Sequence, residues 1–204
     1  MEALFVSTGI VAIAEIGDKT QLLALVLAAR FRAPLPIILG ILVATLANHA
    51  LAAWVGLLAA QWIGGEWLRW ILGLSFLAMA VWMLVPDKID DDEAKESRFG
   101  PFLATVIAFF LLEMGDKTQV ATIALSARFH DIVMVTMGTT LGMMLANVPA
   151  VVLGDVAATK LPLKLVHAVA AGIFAVLGVL ALLNVGDAFG LDVGAAFGGG
   201  AVPS

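Results

Sequence analysis

No cysteine occurs anywhere in the chain, which excludes disulfides, thiolate metal sites, iron–sulfur clusters and cysteine nucleophiles. Charge is also scarce: Asp, Glu, Lys and Arg make up 13% of the 204 residues, against about a quarter in a typical soluble domain. The 11 basic residues are outnumbered by 16 acidic ones, and a net charge of −5 leaves no electrostatic footprint for nucleic acid. No Gly-x-x-x-x-Gly-Lys segment is present, so nothing in the chain supports ATP as a drive. What is there is apolar. Hydrophobic residues account for 62% and mean hydropathy is +1.05, which is incompatible with an ordinary wet surface.

Apolar stretches follow one another with short polar punctuation. The first covers about Ala3 to Ala29, interrupted by Glu15, Asp18 and Lys19, and ends at Arg30-Phe31-Arg32-Ala33-Pro34. Met1-Glu2-Ala3-Leu4 lacks a basic n-region and charges follow soon after, so this stretch reads as a first spanning helix rather than a signal peptide. The second, Ala33 to Gly65, carries no formal charge, and the third, Trp67 to Val85, is stopped by Pro86. After an acidic segment containing Asp90-Asp91-Asp92-Glu93 come the fourth stretch, about Pro101 to Ala127, the fifth, Ile132 to Gly154, and the sixth, Leu165 to Val185. Apolar runs of this length must satisfy their backbone internally in lipid, as helices do. The expectation is an all-α polytopic membrane protein with six transmembrane helices.

The chain repeats itself. Glu15-Ile16-Gly17-Asp18-Lys19-Thr20-Gln21 returns as Glu113-Met114-Gly115-Asp116-Lys117-Thr118-Gln119, shifted by 98 residues and differing at one position. The same shift pairs Ala29-Arg30-Phe31 with Ala127-Arg128-Phe129, Gly40 with Gly138, and Gly56 with Gly154. This organises the chain as a three-helix repeat over 1–85, an acidic cytoplasmic loop over 86–99, a second three-helix repeat over 100–185 and a Gly-rich tail over 186–204. Three spans per half make the halves run oppositely through the bilayer, an inverted repeat of the kind many transporters use. Arg30, Arg32, Lys88, Lys95, Arg98, Lys160 and Lys164 fall in loops on one side, and Arg69 and Arg128 on the other. The basic side is expected to be cytoplasmic, with both termini outside.

Glu15 and Glu113 fall near the middle of their spans, where each ionisable group costs about 2.5–3.5 kcal/mol on insertion scales. On a continuous helix Glu15, Asp18 and Lys19 would share one stripe, and Glu113, Asp116 and Lys117 another. Gly17 and Gly115, poor residues for a helix interior, permit a kink or helix break, or an approach of backbone carbonyls to an ion. Thr20, Gln21, Thr118 and Gln119 add neutral oxygens. Such a set is a hard-oxygen site, suited to Mn²⁺, Ca²⁺ or Mg²⁺, with Lys19 and Lys117 balancing charge. Asn48, His49 and Asn147, mid-span, read either as accessory ligands or as interhelical hydrogen-bond glue, with Asn147 at the repeat position of His49. Arg30 and Arg128 read as interfacial anchors, Trp62, Trp67 and Trp70 as an aromatic belt, and Gly138-x-x-x-Gly142 as a close helix contact.

Two Glu-x-Gly-Asp-Lys-Thr copies flanking an acidic loop resemble the GDT-type cation/proton exchanger family, which includes Golgi and chloroplast Mn²⁺/Ca²⁺ transporters and bacterial manganese exporters. The resemblance covers about Ala3 to Val185, and both motif copies are intact. It implies a secondary transporter, not an enzyme, with no prosthetic group, carrying Mn²⁺ or Ca²⁺ against protons. The family's motif residues fall here on Glu15, Gly17, Asp18, Lys19, Thr20, Glu113, Gly115, Asp116, Lys117 and Thr118. With no targeting extension ahead of the first span, a bacterial inner membrane is the expected location. The residues by themselves also accommodate a small-solute exporter of the amino-acid type, an intramembrane hydrolase or a channel.

Overall fold

The computed structural model describes residues 1–63, 65–85, 99–153 and 163–183, and all of the acidic loop but Phe99, with the Gly-rich tail, lies outside the described residues. All regular structure among them is helical: α1 (Glu2–Glu15), α2 (Lys19–Phe31), α3 (Pro34–Trp62), α4 (Gly65–Met83), α5 (Pro101–Glu113), α6 (Lys117–Phe129), α7 (Ile132–Leu153) and α8 (Leu163–Leu183). Pro34 and Pro101 sit in the first turns of α3 and α5, where a missing N–H costs nothing. Pro149 lies inside α7, which continues through it. Among the described residues three helical segments, Pro34–Trp62, Ile132–Leu153 and Leu165–Leu183, are long and apolar enough to cross a membrane, and Trp67–Met83 and Pro101–Glu113 are shorter apolar helices.

The first and fourth apolar stretches are not single helices, which corrects the continuous-stripe expectation. Each breaks at its charged cluster. Gly17 and Gly115 both have φ +82°, a left-handed conformation that glycine adopts without a Cβ clash. The two breaks match in detail. Asp18 N–H donates to the Glu15 carbonyl at 3.1 Å, and Asp116 N–H to that of Glu113 at 3.0 Å. Farther along, α2 and α6 end alike on left-handed residues: Arg32 N–H bonds the Ala28 carbonyl and His130 N–H that of Ser126.

The two halves interlock. α1 packs along α7 in the same direction, with Leu4 and Ser7 against Gly138 and Thr8 and Val11 against Gly142. Correspondingly, α5 and α6 lie along α3: Phe102 and Thr105 meet Gly40, and Ser126 Oγ donates to the Ala53 carbonyl at 2.6 Å. α4 and α8 run antiparallel to each other, and Phe76 and Phe174, which are repeat equivalents, face one another with ring centroids 6.1 Å apart. Leu, Val and Trp side chains cover much of the exterior, while Ser, Thr, Asn, His, Asp and Glu are buried. That distribution is the reverse of a soluble domain's.

The Gly138-x-x-x-Gly142 contact is as close as expected. A Cβ on Gly138 would lie 2.5 Å from the Leu4 carbonyl oxygen, and one on Gly142 2.7 Å from that of Thr8. Because backbone must move to relieve either clash, Gly138→Ala should cost about 1–3 kcal/mol, seen as a lower thermal unfolding temperature in detergent. Gly172→Ala, where a Cβ meets nothing within 4 Å, should leave that temperature unchanged or raise it. Equal behaviour of the two variants would contradict the α1–α7 packing.

Candidate functional site

The site is built where the two helix breaks face each other. α1 ends on Glu15 and α5 on Glu113, while Asp18 and Asp116 occupy the N-cap positions of α2 and α6. Neither aspartate caps its own helix through its side chain. Gln21 and Gln119 take up part of that duty, their Oε1 atoms accepting from Gly17 N–H at 3.0 Å and Gly115 N–H at 2.7 Å. The aspartates are thereby available to the opposite repeat.

They are used there in a crossed pattern. Lys19 Nζ lies 3.2 Å from Asp116 Oδ1, and Lys117 Nζ lies 3.5 Å from Asp18 Oδ1. Each lysine thus neutralises the other half's acid. Within this lattice, carboxylate oxygens of Glu15, Asp18 and Asp116 come within 4.8 Å of one another, all three side chains being buried. Thr20 Oγ1 donates to Glu15 Oε2 at 2.5 Å, and the buried Thr118 also faces Glu15. Glu15 Oε1 and Asp116 Oδ2 are buried with no hydrogen-bond partner among the described residues. Buried carboxylate oxygens left in this way are able to take water or an ion.

Glu113 stands on the other side of the cluster. It interacts electrostatically with Glu15, Asp18 and Asp116 but is not part of the tight three-carboxylate group. Its neighbours come from α3. Asn48 Nδ2 donates to the Phe110 carbonyl at 3.0 Å and reaches Glu113 Oε2 at 3.5 Å, and Asn48 Oδ1 accepts from Gln119 Nε2 at 3.2 Å. His49, fully buried, places Nε2 4.0 Å from Glu113 Oε1.

Of the sequence candidates, Glu15, Asp18, Lys19, Thr20, Glu113, Asp116, Lys117 and Thr118 therefore converge at one locus, with Gln21 and Gln119 bracing the breaks at Gly17 and Gly115. Gln21 Nε2 also donates to the Ala146 carbonyl, tying the break to α7. Asn48 joins the locus, whereas Asn147 turns its amide onto its own helix, bonding the Met143 carbonyl at 3.1 Å. His49, which the sequence offered as an accessory ligand or as hydrogen-bond glue, lies beside Glu113 of the other repeat.

Away from the site, Arg30 and Arg128 stack on Phe31 and Phe129 at 5.1 and 5.0 Å, consistent with anchoring side chains at equivalent helix ends.

An apolar-surfaced helical protein with ion-paired carboxylates in its interior is of the integral membrane class, and its interior is equipped to handle ions. The chain belongs to the GDT1 family: the family model described as "Divalent cation/proton antiporter GDT1" matches residues 3–91 and 101–188. Among curated proteins, it is 55% identical over 175 residues to the "Putative manganese exporter" of Vibrio cholerae serotype O1, covering 85% of this chain and 87% of that protein. It is 27% identical over 214 residues to "GDT1-like protein 5" of Arabidopsis thaliana, covering 86% of this chain and 93% of the relative. "GDT1-like protein 3" of Oryza sativa subsp. indica is 29% identical over 201 residues, 85% of this chain and 71% of the relative. No solved structure matches.

Proposed function

We propose that the protein is a secondary transporter that exports a divalent cation, Mn²⁺ first and Ca²⁺ second, in exchange for protons. The observation that carries this reading is the buried group of Glu15, Asp18 and Asp116, drawn from both repeats and cross-braced by Lys117 and Lys19. Three carboxylates with threonine hydroxyls beside them offer the all-oxygen shell that hard divalent ions take. The name of the Vibrio cholerae relative favours Mn²⁺ as the cargo.

The broken helices supply the rest. C-terminal carbonyls of α1 and α5 end at the site, the polarity that attracts a cation. In this reading α1 with α2 forms one broken span and α5 with α6 another, while α3, α4, α7 and α8 complete six. The parallel run of α1 with α7, and of α5 with α3, supports two halves of opposite orientation. Alternating access would then be a rocking of one half against the other around the shared site.

Expression in a bacterium that lacks its own manganese exporter should restore growth on excess Mn²⁺ and lower the metal content of the cells. Protection against an amino acid, with none against Mn²⁺ or Ca²⁺, would overturn the reading in favour of a small-solute exporter.

Orientation makes a separate prediction. With the basic loops cytoplasmic, a tag inserted between Pro86 and Arg98 should be shielded from membrane-impermeant reagents in intact cells and become reactive after lysis. Labelling in intact cells would reverse the orientation, and with it the direction of export.

A further inference from the structure

The two halves of the site differ at one position. His49 in the first repeat is replaced by Asn147 in the second. His49 lies beside a glutamate of the other half, whereas the Asn147 amide nitrogen bonds its own helix. The His49 ring is fully buried, and neither of its nitrogens has a hydrogen-bond partner among the described residues. Glu113 Oε1, 4.0 Å from Nε2, has none either, because Asn48 approaches the other carboxylate oxygen. A buried histidine that serves only the fold satisfies its nitrogens, commonly on a carbonyl or carboxylate. Here the gap is too long for a hydrogen bond. It is the right size for two ligands on one ion, each at about 2.0–2.6 Å from the metal.

We infer that His49 Nε2 is a nitrogen ligand that, with Glu113 Oε1, forms a second position of the cation path and selects Mn²⁺ over Ca²⁺. The inference rests on the transport reading above and deepens it. Ca²⁺ and Mg²⁺ take oxygen shells, whereas an imidazole nitrogen shifts preference toward first-row transition ions. Glu15, Asp18 and Asp116 alone offer oxygen and discriminate little between Mn²⁺ and Ca²⁺. The His49–Glu113 pair adds the missing discrimination. Asn48 acts as a positioning residue, turning the Glu113 carboxylate so that Oε1 faces the ring.

The test is pulsed electron paramagnetic resonance of Mn²⁺ bound to the purified full-length protein in detergent. A directly bound imidazole gives a nitrogen-14 modulation that an oxygen shell does not. The wild type should show it, and His49→Asn should lose it. In the same variant, the Ca²⁺ concentration needed to displace bound Mn²⁺ should fall at least about tenfold, since a direct ligand matters no less than the outer-shell partners whose loss costs about 10–100-fold. The wild-type spectrum stands by itself should the variant not fold. Bound Mn²⁺ without nitrogen modulation would overturn this inference and leave the transport reading intact. Failure of the wild type to bind Mn²⁺ at all would overturn both.

Discussion

Replacing either Glu15 or Glu113 with glutamine is expected to reduce Mn²⁺ transport by more than the roughly 10–100-fold that follows loss of an outer-shell partner at a metal site. Glutamine keeps the size of the side chain but removes its charge and turns one acceptor oxygen into an N–H donor. In the cross-braced cluster the aspartates already face lysines, Asp18 with Lys117 and Asp116 with Lys19. The two glutamates are therefore the charges left for the cation. Without one of them, a bound divalent ion would leave a net positive charge buried between the halves, where it is costly. Both single variants should be severe, because each half contributes one glutamate. Asp92→Asn, in the acidic loop, should change flux little. Near-normal Mn²⁺ flux in a folded Glu15→Gln or Glu113→Gln protein would dismantle the two-repeat site.

Exchange should be nearly indifferent to membrane voltage. Four carboxylates and two lysines leave the ionised cluster at a formal charge of −2. One divalent cation neutralises it, and so do two protons, one on each glutamate. In the proposed exchange the two loaded forms able to reorient at low cost would both be electrically neutral, and the cycle would move one divalent ion against two protons with no net charge. Moving a single net charge across the membrane would instead couple to voltage at about 2.3 kcal/mol per 100 mV. That is about a tenfold change in the equilibrium Mn²⁺ ratio for every 60 mV. Mn²⁺ flux in proteoliposomes clamped with potassium and valinomycin, at equal pH on both sides, should stay level as voltage is varied. A steep voltage dependence would contradict the neutral swap while leaving the site's location standing.

Much of this was legible in the sequence because a bilayer leaves few options. Charges as rare as Glu15 and Glu113 inside apolar runs mark an interior site, and an offset of 98 residues between motifs that differ at one position announces two halves. The family followed from those same residues. What the sequence did not resolve was local. A glycine within a helical pattern is either a packing device or a break, and Gly17 and Gly115 are breaks, whereas Gly138 and Gly142 admit α1. The crossed lysine–aspartate pairing was also hidden. Spacing along a helix suggests partners three or four residues away, but each lysine reaches across to the other repeat. The neighbour of His49 was hidden for the same reason: it lies beside Glu113, 64 positions along the chain and on the opposite half.

The most direct test of the account is simultaneous recording of Mn²⁺ and proton movement in proteoliposomes containing only this protein. With a lumen more acidic than the outside, external Mn²⁺ should enter and the lumen should alkalinise, two protons leaving for each ion taken up. Reversing the pH gradient should drive loaded Mn²⁺ out. Mn²⁺ entry that leaves luminal pH unchanged and ignores the gradient would contradict exchange, and with it the claim that one buried carboxylate cluster serves both ions in turn.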